Sequence, residues 1–203
     1  FEFMTLYIYK EIFVDGCYDV SLPTGNPVII DVGANTGLFI IRMKQIYPHA
    51  TVFGYEPMPA NFLQPNENLA LSNFSDCHVF MSGIGATTRK AELFTHEKNI
   101  GGHSLYASQG KGGGHMTVDL LSLSDALQNI GGGDKACDFL KLDCEGAEYE
   151  IIKSINQEMA RNIRCIIFEA TPALYSVQET TDHLCNLGYQ VKKYRGLWLA
   201  TRY

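Results

Sequence analysis

The sequence predicts a doubly wound α/β fold, and three observations predict it. Val28, Ile29 and Ile30 run straight into a glycine-bearing turn, D-x-G-x-N-x-G over 31–37. A β-branched run without alternation suits a parallel strand covered on both faces. Short strand-like runs then alternate with helix-length segments along the chain, the pattern of βα units. Only Arg195 and Gly196 separate the last two strand-like runs, 189–194 and 197–202, which leaves no room for a crossover and forces an antiparallel hairpin.

Each element has its own warrant. After the strand at 28–32, Gly33 and Gly37 let the backbone turn tightly towards a ligand. Leu38, Ile41, Gln45 and Ile46 give most of a helical face over 37–47, and Pro48 stops it. A strand at 51–55 ends in Glu56, and a helix follows over 60–71. Pro65 falls inside that helix, where proline costs about 3 kcal/mol unless the chain kinks. Next come a strand at 77–81, a long excursion over 85–115, and a strand at 116–120. Ser122 with Asp125 three residues on fits a capping box for a helix over 122–130. A strand at 137–142, a helix at 147–159 and a strand at 163–168 lead to a helix over 174–187. That last helix carries Leu174, Val177, Thr181 and Leu184 on one face, with Gly188 placed to cap it.

Composition narrows the class. With 46% hydrophobic residues in 203, the chain can bury one substantial core. No apolar run approaches the roughly 20 residues a membrane helix needs, and no basic segment precedes a hydrophobic one, so the expected location is cytoplasmic. Sixteen Lys and Arg against 22 Asp and Glu, with the basic residues scattered, argue against a nucleic acid partner. The six cysteines form no C-x-x-C pair, and Cys77, Cys137 and Cys165 lie in or beside apolar runs, where a thiol acts as a small hydrophobe. Phe1 to Phe3 ahead of Met4 read as a tag remnant. Residues 1–27 are thus expected to be that remnant plus a short cap, and 28–203 one domain with a loop insertion at 95–115.

In such a sheet ligands bind beyond the carboxyl ends of the strands. Asp31, Glu56, Ser82, Asp143 and Glu169 all come at or just after strand ends and should surround one crevice. The glycine loop opens a helix whose amino-terminal N–H groups face a polar ligand. Glu56, an acceptor-only carboxylate one strand later, suits a ribose diol and repels phosphate. The arrangement is like the nucleoside-binding half of a Rossmann-like fold, yet it lacks the third glycine of G-x-G-x-x-G. His103 lies in the glycine-rich excursion and suits a base, although a loop histidine bonded to backbone is an equally open reading.

Tyr9 to Phe13 with Tyr18, the 31–37 loop, Glu56-Pro57 with Asn61 and Asn68, Gly102-His103-Ser104-Leu105, Lys141 to Gly146 with Glu148, and Ile167-Phe168-Glu169 resemble, in order and spacing, the FkbM family of class I S-adenosylmethionine-dependent methyltransferases. The resemblance runs over nearly the whole chain. It implies a seven-stranded, mostly parallel sheet of order 3-2-1-4-5-7-6, closed by the antiparallel hairpin. It also implies O-methylation of a small molecule, a sugar or a carrier-protein-tethered intermediate, in the manner of natural-product tailoring. S-adenosylmethionine would then be held by Asp31, Gly33, Asn35, Gly37, Glu56 and Asn61, with Asp31 at the methionine ammonium and Ser82 near the adenine edge. Asp143, Glu145 and His103 would do the chemistry. The histidines and acids define no metal-ligand spacing, so no metal is expected. A non-catalytic binding module, or methylation of nitrogen or nucleic acid, remains the alternative.

Overall fold

The computed structural model describes residues 3–72, 74–96, 102–108, 112–130 and 136–202. Phe1 and Glu2, read above as part of a tag remnant, and part of the 95–115 insertion lie outside the described residues.

Seven strands form the main sheet, in the order β3-β2-β1-β7-β8-β10-β9. They are β1 (Val28–Val32), β2 (Thr51–Tyr55), β3 (Cys77–Phe80), β7 (Phe139–Leu142), β8 (Cys165–Phe168), β9 (Gln190–Tyr194) and β10 (Leu197–Thr201). Counted along this sheet the order is the expected 3-2-1-4-5-7-6, with β10 antiparallel to both neighbours. Arg195 and Gly196 both take positive φ, as a two-residue hairpin turn that follows strand twist requires.

Alternate residues of the central strands feed two cores. Ile30, Leu140, Ile166 and Phe168 pack on one face, while Ile29, Phe139, Cys165 and Ile167 pack on the other. That double burial explains why the strands read as continuous apolar runs. Helix α2 (Leu38–Ile46) covers the second face with Phe39, Ile40 and Met43. Helices α4 (Leu123–Asn129), α5 (Glu148–Ser154) and α7 (Val177–Asn186) cover the first with Ala126, Ile151 and Leu184.

Three local expectations are corrected and a fourth, the helix through Pro65, is met. The strand expected at 116–120 belongs to a separate three-stranded sheet, in which β6 (Gly112–Ser122) sits between β4 (Gly83–Gly85) and β5 (Arg89–His96). Polar residues and glycines mask this antiparallel pairing in the sequence. The helix expected at 147–159 breaks into α5 and α6 (Gln157–Arg161), because the Asn156 side chain accepts the Met159 N–H and starts a new helix. The capping box at Ser122 is half formed: its hydroxyl accepts the Asp125 N–H at 3.0 Å, but Thr88 takes the Ser122 N–H at 2.9 Å and donates to the Asp125 carboxylate. Finally, α3 (Pro59–Ser72) runs through Pro65, whose buried ring lies against Gly37; a Cβ on Gly37 would sit 3.0 Å from Pro65 Cβ.

The chain ahead of β1 is built into the molecule. Helix α1 (Phe3–Tyr9) continues as a π-helical turn over Lys10–Val14, and residues 17–22 then pack on α2. Asp19 receives both guanidinium arms of Arg42, and Tyr47 bridges Val20 and Leu22.

Candidate active site

The 33–37 loop is held by backbone conformation. Gly33, Asn35 and Gly37 have φ of +81°, +46° and +78°, so glycine, or asparagine with its tolerance for the left-handed region, is needed at each. Gly33 has a second reason, since a Cβ there would lie 2.0 Å from the Asp143 carbonyl oxygen. Two distant motifs are therefore in backbone contact. The Gly33 and Ala34 N–H groups donate to the Tyr55 carbonyl, and Asn68 donates to the Thr36 carbonyl at 2.9 Å.

Glu56 closes the loop from the next strand. Its two oxygens accept the Asn35 and Met58 N–H groups, each at 2.9 Å, which leaves further lone pairs facing the crevice. Burial pushes its carboxyl up to about 7, against the pull of those two N–H groups.

Asp31 does not reach the crevice. It is fully buried beneath the loop and accepts a hydrogen bond from Lys141 Nζ at 2.8 Å. Lys141 also donates to the Gly33 carbonyl at 3.0 Å. Burial disfavours the lysine charge, but Asp31 and Asp143 outweigh it and hold Lys141 above the ordinary lysine value. Asp31 is thus tied from β1 to β7 through its Oδ1, its Oδ2 has no protein partner, and it lines neither chamber. Gly37 likewise backs onto Pro65 and lines neither chamber of the site. Ser82 lines a separate hollow with Thr88, Arg89 and Lys90, while Gly83 and Ile84 supply the crevice wall expected of it.

The 143–146 turn forms the opposite wall. Glu148, buried, accepts the Cys144 and Gly146 N–H groups at 2.7 and 2.9 Å, and Ser104 donates to the Glu145 carbonyl at 2.6 Å. Glu145 sits at φ +56°, a left-handed conformation uncommon for a glutamate and held by these bonds. Burial, then the charges of Asp143 and Glu148, push its carboxyl up to about 7. Asp143 Oδ2 accepts from Tyr18 Oη at 2.8 Å and lies 3.8 Å from Lys141 Nζ. Burial, and then the neighbouring Asp143, push the Glu169 carboxyl up to about 8.

His103 lines the crevice, but its Nδ1 accepts the His96 N–H at 3.1 Å. Burial lowers its pKa, so the ring is neutral and its proton sits on Nε2. It can donate into the crevice; it is not set up as a base.

Two chambers meet here. One, of about 570 Å³, is lined by Gly33, Asn35, Glu56, Asn61, His103, Asp143 and Glu145 among others. The second, of about 860 Å³, shares Gly33, Asn35, Asp143 and Glu145 and adds Tyr7, Glu11, Tyr18, Lys141 and Glu169. Seven of the ten residues singled out in the sequence therefore come together, and Asp31, Gly37 and Ser82 do not. Tyr7, Glu11 and Tyr18 carry no local signal of such a role. Their contribution depends on the fold bringing the N-terminal segment across β1 and β7. Tyr106 and Tyr175 stand behind the 143–146 turn, and Trp198 stacks on Phe168. Among the described residues no three His, Cys, Asp or Glu side chains form a group able to hold a metal ion.

Comparison with known proteins agrees with this geometry. A family profile described as a methyltransferase FkbM domain matches residues 31–191. The chain is 30% identical to the methyltransferase sdnD of Sordaria araneosa, over 97% of this chain and 86% of that protein. It is 28% identical to the 31-O-demethyl-FK506 methyltransferase FkbM of Streptomyces tacrolimicus, over 91% and 82% of the two chains. The crystal structure of a methyltransferase FkbM from Methylobacillus flagellatus superposes with a TM-score of 0.65 at 17% identity. That match covers 93% of this chain and 47% of that one, so the chain spans about half the length of that protein.

Proposed function

The chain belongs to the FkbM family of methyltransferases, and from that premise we propose that it transfers a methyl group from S-adenosylmethionine to a hydroxyl oxygen of a small molecule, a sugar or a carrier-tethered intermediate. The observation that carries the reading is the meeting of two chambers at Gly33, Asn35, Asp143 and Glu145, one holding the buried Glu56 carboxylate and one lined with acids. A donor and an acceptor can face each other across those four residues. The preference for oxygen is supported by the Streptomyces relative, whose name specifies an O-demethyl compound.

The cofactor fits the residues present. Asn35 Oδ1 and Thr36 Oγ1 are buried polar atoms without a protein partner in the loop that lines the chambers. The ribose hydroxyls and ammonium of S-adenosylmethionine are donors that such atoms lack. Bound there, the cofactor supplies a methyl group already activated by its positive sulfur. Glu56 would accept the ribose hydroxyls with the lone pairs its two backbone partners leave free. Glu145, near neutral pH in its proton affinity and free of any ion pair, is the residue suited to take the acceptor proton. His103 would donate through Nε2 to a substrate oxygen.

Calorimetric titration with S-adenosylhomocysteine tests the reading. Binding is expected, and Glu56→Ala should weaken it by about 1–3 kcal/mol through lost charge-assisted bonds. Unchanged affinity in that variant would remove Glu56 from the site. Binding of a nicotinamide dinucleotide in place of the sulfur compound would overturn the reaction class.

A further inference from the structure

The contact between the N-terminal segment and the 143–146 turn has no place in the reaction as derived so far. Tyr18 is 6% exposed, and its hydroxyl bonds Asp143 Oδ2 at 2.8 Å across 125 residues of sequence. Its ring meets Phe39 edge-on at 5.3 Å and lies 5.6 Å from Lys141 Nζ. The next residue, Asp19, is clamped by Arg42, so the phenol is delivered from a fixed backbone. On the other side, Asp143 and Glu169 each follow their strands by one residue, and Leu142 and Phe168 pair in register. The Glu169 N–H donates to the Leu142 carbonyl, which brings the two acids side by side.

We propose that Tyr18 is a positioning residue for methyl transfer: the N-terminal segment reaches into the site, pins the Asp143 carboxylate, and thereby leaves Glu145 as the proton acceptor. The inference rests on the methyl-transfer reading. Held by Tyr18, with Lys141 close by, Asp143 is occupied by protein donors and poorly placed to take a substrate proton. Burial raises the Glu145 carboxyl first, and the Asp143 carboxylate, two residues away, adds to that shift. The other groups facing Glu145 are Glu148 at the start of α5, Glu169 after β8, and His103 and Glu11 across the chambers. Burial pushes the Tyr18 phenol far above the ordinary tyrosine range, so it remains a donor. During turnover the acceptor O–H proton passes to the Glu145 carboxylate as the oxygen lone pair forms the new C–O bond. The electrons of the broken S–C bond stay on sulfur, and Glu145 returns its proton to solvent after product leaves.

The test follows the Glu145 carboxyl by ¹³C NMR in ligand-free protein, with Glu145→Gln identifying its resonance. In the wild type its titration midpoint is expected at about 7. Tyr18→Phe deletes one hydroxyl and keeps the ring. It should lower the midpoint by about one pH unit, because an unpinned Asp143 can turn its carboxylate away from Glu145. Phe39→Leu disturbs the ring packing without touching the hydroxyl and should leave the midpoint in place. If Tyr18→Phe does not fold, Asp143→Asn removes the same charge and should move the midpoint the same way. An unmoved midpoint in a folded Tyr18→Phe or Asp143→Asn protein, or an equal shift in Phe39→Leu, would overturn the proposal. Failure of the wild type to bind S-adenosylhomocysteine would sink the methyl-transfer reading separately, since the titration needs no ligand.

Discussion

The two chambers of the site are built in different ways. The Glu56 side is local and largely backbone: a strand, a turn forced by Gly33, Asn35 and Gly37, a helix, and a carboxylate from the adjacent strand bonded to the Asn35 N–H. The Tyr18 side is assembled from side chains far apart in sequence. Tyr18 meets Asp143 across 125 residues, and Glu169 comes to the same chamber from the strand beside it. A chamber made of turns can serve a constant cofactor, whereas one made of long-range side-chain contacts can change its occupant by changing a few residues. The proposed division of labour between donor and acceptor would follow from that construction.

The largest effect expected is on the side-chain half. Glu145→Gln should lower kcat by about 10²–10⁴-fold, the usual range for loss of a general base, while S-adenosylhomocysteine binds as before. Because the base must be deprotonated to work, wild-type kcat should rise with pH through about 7, and this limb should vanish in the variant. Equal losses in cofactor affinity and kcat would mean that the two halves are not separable at Glu145.

The same contrast governs what could be read from the sequence. The βα alternation, the 33–37 turn and the Glu56 position were legible because period, glycine placement and strand ends encode them locally, whereas the order of the main sheet came from the family resemblance. Asp31 was misplaced for a physical reason: Lys141, its partner, is 110 residues away, and nothing near Asp31 says that a buried cation awaits it. Ser82 lies in the link between β3 and β4 and lines the far hollow, while Gly83 lies in the crevice wall. Tyr18 and Glu11 were invisible as chamber residues. The role of His103 turned on a single hydrogen bond to its Nδ1, which sequence does not carry.

Lys141 lies beneath both halves and probes whether they share a foundation. Lys141→Met should destabilise the protein by about 3–5 kcal/mol, because it strands the fully buried Asp31 without its cation. Adding Asp31→Leu should recover much of that loss, since an apolar pair of similar size avoids the unpaired charge. Urea denaturation of the single and double variants measures both. A single variant with wild-type stability would show that Asp31 is held neutral and that the ion pair contributes nothing to the joint between β1 and β7.

The smallest effect sets the halves against each other through pH. Glu56 on one side and Glu145 on the other are both pushed up to about 7 from an ordinary 4.5, chiefly by burial. In the unfolded chain both deprotonate near 4.5, so between the two values the folded protein binds more protons. Their favourable contribution is therefore fully present below about 4.5 and is lost as pH rises through about 7. Urea midpoints of ligand-free protein should fall between pH 5 and pH 8. Glu145→Gln should remove part of that fall and leave the Glu56 part. Titration with S-adenosylhomocysteine should steepen the contrast, because ribose hydroxyls donating to Glu56 favour its ionised form and reduce the remaining decline. A stability that climbs over this range in the variant and the wild type alike would mean that neither carboxyl is held protonated by the fold. The acids of both chambers would then be ordinary surface charges, and the proton-accepting role of Glu145 would lose its physical basis.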